Sequence, residues 1–89
     1  MNDVSKFLTE AKQGIVTVEF RKIDTNELRV MPCTLNSEVA GREIGINNVD
    51  PLSHHLAVWC LDKNAWRSFR VSTVERWYTG MPQEENHGT

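Results

Sequence analysis

Short runs of strictly alternating residues, each closed by turn-forming residues, constrain the fold of this chain more than any other feature. Val16, Val18 and Phe20 project to one side, while Thr17, Glu19 and Arg21 project to the other, the period-two signature of a half-buried β-strand. Asp24-Thr25-Asn26 then supplies a turn, and Glu27 to Leu35 resumes an extended run. In that run Leu28, Val30, Pro32 and Thr34 share one face, and Arg29, Met31, Cys33 and Leu35 share the other. Pro32 has no amide hydrogen, so the strand is expected to end or bulge there, or to lie at a sheet edge. A second turn, Asp62-Lys63-Asn64, precedes another alternating run. There Arg67, Phe69 and Val71 face one way, and Trp66, Ser68 and Arg70 the other.

The rest of the chain is compatible with a small, strongly bent barrel. Leu56 to Leu61 is almost unbroken in its apolar character and predicts a strand buried on both faces, with Trp59 in the core. Ser72-Thr73, where small barrels place one turn of 3₁₀ helix, leads into a last strand from Val74 to Tyr78. At the N-terminus Asp3 is placed to cap a helix over about Val4 to Gln13. Val4, Phe7, Leu8 and Ala11 line one face of it, and Gly14 stands at its stop. The middle, Asn36 to Ser53, has no sustained period. A helical turn near Ser37–Val39 and a short strand near Ile44–Ile46 are expected in it, and its length marks it as a candidate functional loop. One helix and five strands therefore fit a single domain over residues 1–80, and the polar residues 81–89 are expected to form a disordered tail.

Bulk properties narrow the function classes. Ten basic against 12 acidic residues give a net charge of −2, which argues against a protein that coats nucleic acid by bulk attraction. The distribution is uneven, however. Between Lys63 and Arg76 four cations, Lys63, Arg67, Arg70 and Arg76, face Glu75 alone, which suggests one specific anionic contact. No apolar run approaches the ~20 residues needed to span a bilayer, and Met1–Lys12 lacks the apolar core of a signal peptide, so a cytoplasmic setting is expected. Cys33 and Cys60 each sit in an apolar strand-like run and are expected to be buried free thiols. Only His54 and His55 lie close to Cys60, and adjacent residues on a strand point oppositely, so no metal site is expected.

Two segments together resemble a known family. They are Ile15-Val-Thr-Val-Glu-Phe20 followed by Arg29-Val-Met-Pro32, and Val58 to Val74 with its Trp66-Arg67-Ser68-Phe69-Arg70 strand. Their order resembles the WYL domain, and more closely the short WYL-like proteins of tailed bacteriophages. The resemblance covers about Ile15 to Tyr78 and implies a mainly β fold: a small five-stranded SH3/Sm-like barrel, here with an N-terminal α-helix. Arg67, Phe69 and Arg70 match the family's Arg-x-Phe-Arg strand, and Pro32 matches the proline closing its first hairpin. The naming Trp-Tyr-Leu triplet reads His54-His55-Leu56, and Thr73 stands where an arginine usually follows that strand. The resemblance further implies a phage protein acting in the host cytoplasm, without the winged helix of bacterial WYL regulators.

No Gly-rich phosphate loop precedes a helix, and no Ser/His/Asp, Cys/His or carboxylate pair has catalytic spacing. A non-enzymatic binder needing no cofactor is therefore expected. Its candidate site is Arg67, Arg70, Arg76, Lys63 and Trp66, because guanidinium forks suit phosphates and an aromatic beside them can stack a base. The expected partner is single-stranded nucleic acid or a nucleotide. A host protein bound through an edge strand and exposed aromatics is the alternative, and an Sm-like homo-oligomeric scaffold a third.

Overall fold

A computed structural model of the chain describes residues 1, 3–44 and 51–82. Helix α1 runs Val4–Gln13, as its capping signals predict. The Asp3 carboxylate accepts the Lys6 amide at 3.0 Å, and Gly14 closes the other end through its N–H to the Glu10 carbonyl. The strands are β1 (Ile15–Arg21), β2 (Leu28–Thr34), β3 (His55–Cys60), β4 (Ala65–Arg70) and β5 (Val74–Thr79). A 3₁₀ turn at Val71–Thr73 joins the last two, and a one-turn helix, α2 (Ser37–Ala40), follows β2. The strands form one antiparallel sheet in the order β4-β3-β2-β1-β5. Asn26 and Asn64 hold the left-handed conformation at the two hairpin turns, with φ of 61° and 54°.

The core lies between α1 and the concave face of the sheet. Phe7, Leu8 and Ala11 of the helix are buried against Val16 and Val18 of β1, Met31 and Cys33 of β2, Leu56, Val58 and Cys60 of β3, and Phe69 of β4. Phe7 meets Phe69 and Trp77 edge-on, with ring centroids 6.0 and 5.3 Å away. Thr34 ties the end of α1 to β2. Its hydroxyl donates to the Gly14 carbonyl at 2.7 Å, with the Ala11 carbonyl at 3.2 Å, and accepts the Asn36 amide at 3.0 Å.

Pro32 departs from expectation. It neither ends β2 nor lies at an edge: β2 continues to Thr34 and is the central strand. The register explains this. The Leu61 amide donates to the Pro32 carbonyl, so the missing Pro32 amide also faces β3, and β2 pairs with β3 only at Cys33 and Thr34. The proline stands where that ladder ends, and its ladder with β1 needs no amide from this position.

The expectation that Leu56–Leu61 is buried on both faces holds only in part. Leu56, Val58 and Cys60 enter the core, but Ala57 is exposed on the convex face. Trp59, on that same face, is buried by local cover. Trp66 meets it edge-on at 5.8 Å, and the Arg42 guanidinium lies 5.3 Å from its ring centroid. The strand expected near Ile44–Ile46 falls largely on residues 45–50, outside the described residues, and Ile44 itself is buried but not in a strand. Most of the polar tail, residues 83–89, also lies outside them.

Candidate functional site

Along the inward-facing positions, apolar side chains give way to cations towards one end of the sheet. On β2, Cys33 and Met31 are buried, as is Leu35 just past its end, and the next inward residue is Arg29. On β4, Phe69 is buried and the next inward residue is Arg67, which is exposed. Both arginines approach the end of β1, where Phe20 pairs with Arg29. Lys22 at the first turn and Lys63 at the second complete an open groove of ≈ 380 Å³ lined by Phe20, Lys22, Arg29, Met31, Lys63, Arg67 and Ser68. Four of its lining residues are cationic and none is acidic. Among the described residues no carboxylate forms an ion pair with any of the four. The Arg67 guanidinium donates to the Trp66 carbonyl at 2.9 Å, which orients it without neutralising it.

A second groove of ≈ 410 Å³ adjoins the first and shares Phe20, Lys22 and Ser68 with it. Arg70, His55, Arg21 and Thr73 contribute its polar lining, with Asp24 as its one acid. Phe20 is half-buried and stacks on buried Phe69, with centroids 5.5 Å apart and planes 25° from parallel. Ser68 and Arg70 lie on β4, an outer strand of the sheet. The Val71 amide donates to the His54 carbonyl, so the alternating backbone groups of Ser68 and Arg70 point away from β3, off the open edge.

The residues singled out in the sequence therefore separate. Lys63 and Arg67 meet in the first groove, and Arg70 lines the second. Arg76 joins neither. On the convex face of β5 its guanidinium grips Glu19 of β1 through Nε at 2.8 Å and an Nη at 3.0 Å, and the Tyr78 hydroxyl adds a third bond at 3.2 Å. This fork holds the buried Glu19 carboxyl below its ordinary range, although burial opposes the shift. Trp66 also lies on the convex face, packed on Trp59 and 40% exposed, and lines neither groove. Trp77 is half-buried against Phe7, not in a groove.

Lys22, Arg29 and Phe20 are site residues that the local charge count did not find. Arg29 carried a legible signal, since it shares a strand face with Met31, Cys33 and Leu35 and so had to end an inward row. Lys22 carried none, because its place depends on how the first hairpin approaches the second.

Cys33 and Cys60 are both fully buried free thiols and face each other across β2 and β3. Burial, and then the neighbouring Cys60, push the Cys33 thiol up to about 12. Among the described residues no group of His, Cys, Asp and Glu is arranged to hold a metal ion. No helix among them is long and apolar enough to cross a membrane.

The single five-stranded antiparallel sheet agrees with one family comparison. The family WYL_2, described as an Sm-like SH3 beta-barrel fold, matches residues 4–74. The chain belongs to the WYL_2 family. No curated protein and no solved structure matches it. The WYL_2 match begins at the first residue of α1, so it includes the helix, and it ends at the first residue of β5. Both grooves of this WYL_2 domain lie within the matched span, whereas Arg76 lies beyond it.

Proposed function

We propose that this WYL_2 protein is a non-enzymatic binding module that recognises the phosphate groups of single-stranded nucleic acid or a nucleotide through its cationic groove. One observation carries the reading: Lys22, Arg29, Lys63 and Arg67 surround an apolar floor of Phe20 and Met31 with no acidic residue in the lining. Arginine forks and lysine ammonium groups suit phosphate oxygens, and an aromatic floor offers a surface to a base. The overall charge of −2 supports local rather than bulk attraction. Arg67 and Lys63 keep the roles read from the sequence, with Arg29 and Lys22 beside them. Arg76 and Trp66 act in the fold of the convex face. The resemblance to short phage proteins supports a setting in the cytoplasm of an infected host.

The test is titration of a labelled oligothymidylate at several salt concentrations. Arg29→Ala with Arg67→Ala is expected to weaken binding and to reduce the salt slope by about 0.7 for each phosphate no longer neutralised. Arg76→Ala should leave the salt slope as it is. A folded Arg29/Arg67 variant with unchanged affinity and slope refutes the reading and favours a protein partner.

A further inference from the structure

We infer that the ligand is a strand running across both grooves, with Phe20 as the ridge between them, and not a single nucleotide held in one. The inference rests on the phosphate-binding reading above and deepens it. The two grooves adjoin, because Phe20, Lys22 and Ser68 line both. Each side of the ridge has its own arginine: Arg29, Lys63 and Arg67 stand on one side, and on the other stand Arg70 and Arg21, the latter held by Glu75, with Asp24 as the one acid. A mononucleotide carries its phosphates at one end and can satisfy one side only. A chain with a phosphate at every step can place one on each side, with a base between them.

The ridge is suited to that base. Phe20 is half-buried, and Phe69, itself 3% exposed, supports its ring from below in a near-parallel stack. The ring is thus held in place, and stacking on it costs little ordering. The rim is suited to the backbone. Ser68 lines both grooves, and its hydroxyl and an amide that points off the open edge of β4 are neutral donors that fit phosphate oxygens without demanding a particular base. Arg70 keeps its guanidinium free of any carboxylate among the described residues, while the Thr73 hydroxyl donates to the Arg70 carbonyl at 2.7 Å and fixes the strand end that carries it. The strand is held by its backbone and by stacking.

The experiment measures affinity of the full chain for thymidine monophosphate, a thymidine tetranucleotide and tripolyphosphate at one salt concentration. The tetranucleotide is expected to bind about a hundredfold more tightly than the monophosphate, since its second phosphate engages intramolecularly. Arg67→Ala should weaken both nucleotides. Arg70→Ala should weaken the tetranucleotide about tenfold or more and narrow the gap between the two, because it removes the second phosphate site. Phe20→Leu, checked for folding by its thermal melt, should weaken the tetranucleotide at least about fivefold through impaired stacking. A monophosphate that binds as tightly as the tetranucleotide overturns the inference and leaves the phosphate reading standing. So does an Arg70→Ala variant that weakens both ligands equally. Tripolyphosphate that matches the tetranucleotide overturns the role of the ridge. Failure of all three ligands to bind overturns the phosphate reading itself.

Discussion

The Glu19–Arg76 fork ties β1 to the last strand, and Glu19→Gln measures its worth with little change of shape. In the native chain the carboxylate accepts two guanidinium bonds, at 2.8 and 3.0 Å, and one from Tyr78 at 3.2 Å. Hydrogen bonds to a charged group contribute about 1.5–3 kcal/mol where both partners are shielded. The Glu19 side chain is 10% exposed but that of Arg76 is 62% exposed, so water competes for the guanidinium and the lower part of that range applies. The amide keeps one acceptor for Arg76 and turns a donor towards it, so the expected loss is about 1–2 kcal/mol at neutral pH.

The pH dependence has a definite sign. The Arg76 bonds hold the folded Glu19 below its ordinary value of 4.5. The contribution is therefore complete above that value and disappears as pH falls through the lower, folded value. Urea unfolding followed by tryptophan fluorescence should place the Glu19→Gln midpoint about 1 M or more below that of the native chain at neutral pH, for a slope near 1 kcal/mol/M. The two midpoints should converge as pH falls through the folded value and the native carboxyl is also protonated. Equal stability at neutral pH, or a gap that survives at the acid end, refutes the assignment of the fork as a structural tie.

Two further results are expected. Thr34→Val removes the hydroxyl between the Gly14 carbonyl and the Asn36 amide, and the loss should be about 1–3 kcal/mol in the same urea assay, because those groups are partly buried and Ala11 retains its bond from the Leu35 amide; an unchanged midpoint would show that water replaces it freely. Cys33 and Cys60 should react with a thiol reagent at neutral pH only at the rate of unfolding, since both are fully buried and the Cys33 thiol is pushed up to about 12; rapid labelling of the native chain would contradict that burial.

Local chemistry was enough to read the elements from the sequence. The limits of α1 follow from an acidic cap, one apolar stripe and a terminal glycine, all of which act within a few residues. The two hairpins follow from extended runs around Asp-Thr-Asn and Asp-Lys-Asn turns, and the small mainly β fold follows from five short strands with a 3₁₀ step before the last. The thiol burial was legible for the same reason, because each cysteine lies inside an apolar run.

The site was not local. A cluster of positive charge along the chain, Lys63 to Arg76, is spread by the fold over two grooves and the opposite face, because alternate residues of a strand point apart and the chain turns between β4 and β5. Arg76 found a buried carboxylate 57 positions away, a partner that only the β1–β5 register creates. Pro32 is tolerated at the centre of the sheet because its ladder with β3 ends there, a property of the neighbouring strand and not of the proline. Sequence determined which segments are strands and which faces are apolar. Tertiary structure decided which cations meet, because that depends on where two hairpins far apart in the chain close on each other around Phe20.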